Sequence, residues 1–443
     1  MMYLPAYVAE CMEALERAGF AAYAVGGCVR DALLGLTPHD YDLCTSALPE
    51  QTEAVFRNRK LALEGKKHGT VSVITEEGPV EITTFRKEGT YGDNRHPDWV
   101  EFVTDIEEDL ARRDFTVNAM AWSPSRGLVD PYGGRENLEN RILRAVGEPE
   151  RRFREDSLRI LRGVRFAVRF GLDLDYETGK AMVSQAGLMD NLARERVWEE
   201  LWKLLPLVTA EDLQRFAPVL TAVIPELKPM VGFDQHSPYH AYDLYTHTAL
   251  VTAATPADPV LRWAGLLHDV GKVPTFTRDE DGRGHFYGHD VRGAELAEEI
   301  LLRLKAPAAV REQVVTLIRW HMETLEENRP FLRRVLSRLG WETTERLLAL
   351  QRADMGSKGH QNPEDTRHFE RIAELLEEIR KEEPCLKTSD LKLGGRDLMD
   401  LGLRGKAIGE TLEALLELVW EEKVENQRDA LITAAKTHIK KEN

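Results

Sequence analysis

The chain has 443 residues, 42% of them hydrophobic, and a formal net charge of −16 at pH 7. This length predicts several folding units, and the acidic balance argues against a protein that binds nucleic acid over its whole surface. No run approaches the about 20 apolar residues of a membrane span, no signal peptide is evident, and the four cysteines are scattered without a CxxC pair, so we expect a cytoplasmic protein with no membrane partner and no zinc finger or disulfide framework.

The sequence pattern divides the chain into two regions. The first 140 residues mix short β-rich runs, such as "TVSVIT" and "VEITTF", with turns and helical stretches, a pattern typical of an α+β domain. Beyond about residue 141, apolar residues recur at helical spacing and the β signal fades. We predict four domains: an α+β head (1–140), a helical neck (141–225), a histidine-rich helical domain (226–357) and a helical tail (358–443).

The first candidate site lies in "AAYAVGGCVRDALLG". The pattern predicts a strand ending at Val25, a turn at Gly26 and Gly27, and a helix opening near Val29. Glycines at such a turn let backbone N–H groups approach a phosphate, and the helix dipole favours the anion. The turn therefore predicts a nucleoside triphosphate site.

Asp40 and Asp42 follow in "HDYDLC". If this segment is a strand, both carboxylates lie on one face and suit Mg²⁺, which takes oxygen ligands and bridges to substrate phosphates. Glu81 in "VEITTF" is a candidate third carboxylate of a two-metal site. A solvated strand end is the alternative for an isolated DxD pair.

Four motifs in order identify a family: GG-x-x-R-D, D-x-D, "RRDFTVNAMA" and "EDSLRILRGVRF". Together they resemble class II tRNA nucleotidyltransferases and bacterial poly(A) polymerases of the polymerase β superfamily, over about residues 20–225. The resemblance implies a nucleotidyltransferase head with a mixed sheet, and catalysis and metal binding by Asp40 and Asp42. It also implies a mobile loop at 86–102, for which a solvated hairpin connection is the alternative. The nucleotide contacts that it implies are Gly26, Gly27, Arg30, Arg112, Asp114 (to the ribose), Asn118 and Arg162.

The family motif also uses an Asp and an Arg to read the incoming base, and these match Asp156 and Arg159 in "EDSLR". Cytosine and adenine each offer an amine donor beside a ring-nitrogen acceptor, which Asp and Arg complement. Uracil and guanine would leave buried polar atoms unpaired, at about 1–3 kcal/mol each. On one helix, Glu155 and Asp156 can both reach Arg159, so a structural ion pair is the alternative.

The neck segment 141–170 holds nine Arg against four acidic residues. We predict that the arginines off the apolar stripe of this helix, among them Arg165 and Arg169, contact RNA phosphates.

Seven of the 13 histidines fall between His236 and His321. "LLHDVGK", with His247 before it and Asp354 after it, resembles the HD phosphohydrolase superfamily over about 230–357. The resemblance implies a divalent metal, of unspecified identity, held by His247, His268, Asp269 and Asp354. If His289 and His321 also converge, a second metal is expected, and the pair could activate water against a phosphate ester.

We therefore expect an enzyme that adds CCA to the 3′ end of tRNA from CTP and ATP, without a nucleic-acid template, and that releases pyrophosphate. The tail segment 393–416 resembles the C-terminal helices of such enzymes, although its glycines also fit tight packing. Alternatives within the class are a poly(A) polymerase or an enzyme that adds only CC or only A. An HD phosphohydrolase with an RNA-binding head is the alternative of another class.

Overall fold

The structure is a computed structural model, and it describes residues 3–89, 99–237, 241–359, 363–382 and 384–442. The chain forms two compact units. The first holds the residues up to Val208 and Arg215–Lys228, and the second holds Thr209–Gln214 and the residues from Pro229 onward. The four domains predicted from the sequence divide the chain more finely than these units and stay a prediction.

In the described residues the strands are β1 (Ala22–Val25), β2 (Asp42–Thr45), β3 (Lys60–Ala62), β4 (Thr70–Ile74), β5 (Pro79–Thr84), β6 (Arg86–Glu88), β7 (Val100–Phe102), β8 (Ala121–Ser123), β9 (Gly127–Val129), β10 (Ile142–Leu143), β11 (Asp173–Leu174), β12 (Thr277–Arg278) and β13 (Gly284–His285). The helices of the first unit are α1 (Ala6–Arg17), α2 (Gly27–Leu33), α3 (Pro49–Val55), α4 (Ile106–Ala111), α5 (Gly134–Glu139), α6 (Pro149–Glu155), α7 (Leu158–Phe170), α8 (Tyr176–Ser184), α9 (Arg194–Leu204) and α11 (Ala217–Val223), and α10 (Ala210–Arg215) precedes the last of these in the chain.

The second unit continues with α12 (Leu244–Ala254), α13 (Pro259–Leu267), α14 (Lys272–Thr275), α15 (His289–Arg303), α16 (Ala308–Trp320), α17 (Arg329–Gly356), α18 (Pro363–Lys381), α19 (Gly395–Asp400), α20 (Lys406–Trp420) and α21 (Arg428–Glu442). Short 3₁₀ helices lie at Lys66–His68, Thr116–Asn118, Ala186–Asn191, Leu205–Leu207, Pro225–Met230 and Thr388–Asp390. None of the described helices is long and apolar enough to cross a membrane.

The main sheet of the first unit has the strand order β3-β4-β5-β2-β1-β8-β9. Strands β2 and β5 pair in parallel, while the other neighbours run antiparallel, so the sheet is mixed. This confirms the predicted α+β head with a mixed sheet. The parallel register places Asp42 directly opposite Glu81, at one end of two central strands.

The core beside this sheet is formed by residues whose side chains alternate inward from the strands. Tyr23, Val25, Cys44 and Phe85 are buried there together with Leu110 of α4. Strands β1 and β2 lie in the middle of the sheet, and their inward residues are buried. This packing fixes the position of Gly26, which follows β1, and of Asp42, which begins β2.

The neck helix α7 contradicts one prediction. Its apolar residues Ile160, Leu161 and Val164 are buried as expected, but Arg165 is buried as well and donates to Glu200 of α9 at 2.6 Å. This arginine therefore neutralises an internal carboxylate and is not presented to RNA phosphates. Arg169, at the end of the same helix, is exposed.

The predicted mobile loop at 86–102 lies largely outside the described residues, which stop at Gly89 and resume at Trp99. Its described ends form the antiparallel pair β6–β7, with Arg86 opposite Phe102 and Glu88 opposite Val100.

In the second unit, helices α12 to α17 surround the histidine-rich region. Gly271, in the motif "HDVGK", lies where a Cβ atom would be 2.2 Å from the backbone oxygen of His289. Only glycine allows this close approach, which brings the residue just before α14 against the start of α15. The tail has its own core, which includes Leu398, Leu415, Trp420 and Leu431.

Candidate nucleotide site and metal centre

The glycine turn sits where β1 meets α2. Gly26 has φ 75° and ψ −123° and donates its N–H to the backbone oxygen of Met120 at 3.0 Å. A Cβ at this position would lie 2.8 Å from Nη1 of Arg113. The backbone angle therefore requires glycine here, whereas the end of the Arg113 side chain could move aside. Helix α2 begins at Gly27, two residues before the predicted start.

Three acidic side chains lie at the neighbouring strand ends. Asp42 begins β2 opposite Glu81 of β5, both are exposed, and Asp40 precedes the strand in an irregular segment. The strand therefore does not extend back to Asp40. The prediction that Asp40 and Asp42 share one face of a strand is wrong in this respect. Although Asp42 is exposed at the surface, the protein around its carboxylate still raises its pKa by desolvation, and the charges of Glu81 and Asp40 raise it further against the opposing effect of Arg113. Carboxylates that repel one another in this way suit a divalent cation, whose oxygen ligands they would be.

A chain of polar contacts links Arg30 to Arg162. Arg30 donates to Asn118 Oδ1 at 2.5 Å and, through two of its nitrogens, to Asp31. Asn118 in turn donates its amide to Asp114 at 3.1 Å. Arg30 is buried, and its guanidinium lies 4.3 Å from the centre of the Phe170 ring. The predicted nucleotide contacts Arg30, Asn118 and Asp114 thus form one network.

Asp114 is the centre of that network. It accepts from Arg162 at 2.9 Å and from the N–H of Phe115 at 2.8 Å, in addition to Asn118. Burial alone would raise the pKa of Asp114, but Arg162 and Asn118 outweigh burial and lower this pKa to about 2. The carboxylate is therefore ionised at neutral pH, and in that form it acts only as a hydrogen-bond acceptor.

The predicted base-reading pair is arranged differently from the expectation. Asp156 ends α6 with extended backbone angles (φ −143°, ψ 103°), and α7 starts at Leu158, so "EDSLR" is not one helix. Asp156 lies just before Ser157, the N-cap of the new helix, and accepts from the N–H of Leu158 at 3.1 Å. Aspartate favours such a local side-chain-to-backbone hydrogen bond over a helix interior, and this accounts for the break.

As a result, the two residues have different ionic partners. Asp156 accepts from Arg196 of α9 at 2.8 Å, whereas Arg159 donates to Glu155 at 2.8 Å. Arg159 also donates to the backbone oxygens of Arg152 and Arg112, both at 3.0 Å. The expected contact of Asp156 with Arg159 through helical spacing is wrong, while the ion pair of Glu155 with Arg159 is present.

Sequence reasoning missed two residues here, Arg196 and Asp109. Asp109 is fully buried and accepts from Arg112 at 2.9 Å and from Arg113 at 3.4 Å. The i, i+3 and i, i+4 spacing of "DLARR" was a signal for this pairing. Arg196 gave no such signal, because it lies 40 positions from Asp156.

The histidine-rich region of the second unit brings all six predicted ligands into two groups. One ligand atom each of His247, His268 and Asp354 lie within 4.8 Å of one another, and the same holds for Asp269, His289 and His321. Among the described residues these are the groups that could hold a metal ion by this criterion, and the carboxylates of the head do not form a third.

The histidines are oriented alike. His268, His289 and His321 place Nδ1 at 2.8, 2.8 and 2.5 Å from a backbone oxygen, and His247 does so at 3.3 Å. Nδ1 therefore carries the proton, and the lone pair of Nε2 points into the centre. Within the described part of the chain, Nε2 of His268, His289 and His321 is buried and makes no hydrogen bond.

The aspartates complete the centre. Oδ2 of Asp269 lies 3.1 Å from Nε2 of His268, and Oδ1 of Asp354 lies 3.0 Å from Nε2 of His247. Burial opposes ionisation of both carboxylates, but the surrounding histidines and lysines outweigh it and lower their pKa values. Ionised carboxylates together with imidazole nitrogens are the donor set of a divalent metal.

Burial also determines which histidines stay neutral. It lowers the pKa of His321 to about 4 and lowers that of His289. Burial acts in the same direction on His268, but the charges of Asp269 and Asp354 reverse the net effect and raise its pKa. The imidazoles of His289 and His321 are thus neutral and able to coordinate a metal at neutral pH, while that of His268 is protonated more readily.

Comparisons with known proteins match both regions of the chain that carry these residues. The model of the poly(A) polymerase head domain matches residues 22–144, and that of the HD domain matches residues 240–357. A CCA-adding enzyme of Geobacillus thermodenitrificans is 45% identical over 215 residues, a stretch that spans about half of either protein, 46% of this chain and 53% of the relative.

A second relative, the CCA-adding enzyme of Bacillus velezensis, aligns from end to end. It is 32% identical over 422 residues, which cover 94% of this chain and 93% of the relative. The chain belongs to the CCA-adding enzyme family. The predicted resemblance to this group, joined to an HD domain, is thereby confirmed.

Within the CCA-adding enzyme family, a solved structure supports the fold. The crystal structure of the Bacillus stearothermophilus CCA-adding enzyme in complex with CTP superimposes with a TM-score of 0.70 at 28% identity and covers 98% of this chain and 97% of that one. The predicted architecture of a nucleotidyltransferase head followed by helical regions is confirmed.

Proposed function

We propose that this protein adds CCA to the 3′ end of tRNA, taking CTP and ATP as substrates and releasing pyrophosphate. The observation that carries the proposal is the end-to-end alignment with the CCA-adding enzyme of Bacillus velezensis, in a chain whose head keeps the glycine turn beside Asp42 and Glu81. The relative with a solved CTP complex supports a nucleotide substrate.

Asp40, Asp42 and Glu81 would hold Mg²⁺ in the head. Mg²⁺ bound there would supply positive charge beside the triphosphate and would favour the ionised form of the attacking hydroxyl. The raised pKa of Asp42 fits this role, because the charges of Glu81 and Asp40 contribute to it and a bound cation would offset them.

The reaction joins two groups that the chain must position. The 3′-hydroxyl oxygen of the tRNA bonds to the α-phosphorus of the nucleotide, and the bond from that phosphorus to the bridging oxygen breaks, so that pyrophosphate leaves. The backbone at Gly26 and Gly27 binds the triphosphate. Asp114, held ionised by Arg162, accepts from the ribose 2′-hydroxyl, which a deoxynucleotide lacks.

Asp156 and Arg159 choose the base. Asp156 accepts from the exocyclic amine of cytosine or adenine, and Arg159 donates to the adjacent ring nitrogen. Their partners Arg196 and Glu155 hold each side chain by a charged contact before the nucleotide enters. Replacing Arg159 by Ala should weaken discrimination against UTP more than it weakens RNA binding.

The test uses a tRNA transcript that ends before CCA, supplied with Mg²⁺, CTP and ATP. The full-length protein should extend it by three nucleotides, whereas Asp42→Asn should reduce addition by at least 100-fold because one ligand charge is lost. Extension at the same rate by Asp42→Asn would refute the metal assignment.

A second function is proposed for the histidine-rich centre, which would hold one or two divalent metals and hydrolyse a phosphate ester at an RNA end. The observation that favours it is the set of buried Nε2 atoms directed at Asp269. Metal bound there would supply a water of lowered pKa. Metal content of the purified protein, compared with His268→Ala, tests the centre directly.

A further inference from the structure

A cavity of about 390 Å³ opens over the proposed HD centre. Its floor includes Asp269, His289 and His321, and its rim includes two aromatic residues, His285 and Tyr287. The cavity is therefore large enough for a phosphate group at the centre and for a further part of the substrate beside it.

The rim carries an unusual aromatic pair. The Tyr287 side chain is 78% exposed, and its ring stacks on that of His285 with 5.3 Å between centroids and 6° between planes. The intervening Phe286 turns inward against Phe276, at 5.5 Å between centroids. Phe286 supplies the packing contact of this segment with the core. The ring of Tyr287, which is exposed, contributes little to it.

The backbone fixes this pair relative to the centre. His285 ends β13, which pairs with β12, and its ring contacts Asp279 at 2.9 Å. A Cβ on Gly284 would lie 2.3 Å from the backbone oxygen of Gln235, so the hairpin is seated tightly. The proposed metal ligand His289 follows Tyr287 by two positions and starts α15.

Cations line the same cavity. Lys272 contacts Asp269 at 2.8 Å, Lys358 contacts Asp354 at 3.0 Å, and Arg283 lies on the rim. Positive side chains beside a metal-binding centre favour an anionic substrate such as a phosphate ester. An exposed aromatic face a few residues away adds a surface on which a base can stack.

We propose that Tyr287, backed by His285, is a stacking platform for a nucleobase, so that the HD centre takes a nucleoside phosphate rather than a phosphate on a non-aromatic carrier. This inference rests on the proposed hydrolase function of the same centre. The substrate is then the terminal nucleoside of an RNA, with its phosphate at the HD centre and its base on the ring of Tyr287.

The deciding experiment measures binding at the platform itself. In full-length Tyr287→Trp, adenosine 3′-monophosphate should quench the fluorescence of the introduced indole, seen as the difference from the wild-type protein, whereas inorganic phosphate should not. The matched control is Tyr176→Trp, because Tyr176 of the first unit is equally exposed, at 77%. Equal quenching in both variants, or none in Tyr287→Trp, would overturn the proposal.

Kinetics separate this inference from the hydrolase proposal. Tyr287→Ala should raise KM for adenosine 3′-monophosphate by about 5- to 150-fold, the range for loss of one stacked base, with kcat unchanged. Tyr287→Phe keeps the ring and loses the contact of the hydroxyl with His285 Nδ1 at 3.3 Å, so its KM should stay much closer to that of the wild type than to that of Tyr287→Ala. β-Glycerophosphate, which has no base, should not distinguish the three proteins. Equal effects on both substrates would refute stacking. Quenching at Tyr287→Trp without hydrolysis of either substrate would support the platform and refute the hydrolase activity.

Discussion

The ion pair between Asp114 and Arg162 offers a sharp test of the head network. Their side chains are 9% and 35% exposed, and the Arg162 guanidinium reaches Asp114 Oδ2 at 2.8 Å. Replacing Asp114 by Asn keeps the shape of the side chain but removes the charge. We expect the variant to fold and to be less stable at neutral pH.

The magnitude follows from the pKa of Asp114, which is lowered from 3.8 to about 2. That difference corresponds to about 2 kcal/mol of folding free energy at pH 7. Because the pKa is lower in the folded state, the contribution is complete above the unfolded value of 3.8 and is lost as the pH falls toward 2. At pH 3 about 1 kcal/mol should remain.

Urea unfolding of the wild type and of Asp114→Asn at pH 7, 5, 4 and 3 measures this contribution. The difference in free energy of unfolding should be constant down to pH 4 and then shrink. Glu13→Gln, at an exposed position of α1, is the control for loss of a carboxylate charge. A double-mutant cycle with Arg162→Gln isolates the pair. An Asp114→Asn protein as stable as the wild type, or a difference that persists unchanged at pH 3, would refute the reasoning.

Three further predictions concern other parts of the chain. Gly26→Ala should cost about 1–3 kcal/mol and slow nucleotide addition, because it forces a positive φ on alanine and displaces the end of the Arg113 side chain; a free energy of unfolding and an addition rate that both equal those of the wild type would contradict this prediction. Glu200→Ala should cost about 3–5 kcal/mol by leaving the buried Arg165 charge unpaired, and the double variant with Arg165→Leu should recover part of that loss; a single variant of wild-type stability in urea would contradict the pairing. His268→Ala should lose metal from the second unit, as measured by elemental analysis, while CCA addition continues; unchanged metal content would count against the centre.

Local patterns predicted the elements that local physics determines. The β-rich run "AAYAV" followed by two glycines predicted a strand and a tight turn, and the structure has β1 ending at Val25 with Gly26 at φ 75°. The resemblance to the HD superfamily, carried by His247, "LLHDVGK" and Asp354, implied ligands that the structure brings together. In each case a backbone requirement or a ligand set leaves a short, readable signature.

Long-range partners were not predictable in this way. The acidic and basic residues of "EDSLR" suggested one helix, but the helix breaks at Asp156, whose side chain accepts from the N–H of Leu158. Its ionic partner Arg196 lies 40 positions away. Arg165 was predicted to contact RNA because nothing near it in the sequence indicated a partner. Its partner, Glu200, lies 35 positions further along the chain. Spacing shows which side chains share a face, whereas the tertiary fold decides what that face meets.

The measurement that tests the central claim most directly is sequencing of the 3′ ends produced by the purified protein. tRNAs that end before CCA, after C and after CC are incubated with Mg²⁺ and with CTP, ATP, or both. We predict C addition from CTP alone, A addition only after CC, and termination at CCA when both are present. A long A tail, indiscriminate use of UTP, or no extension of any end would contradict the account.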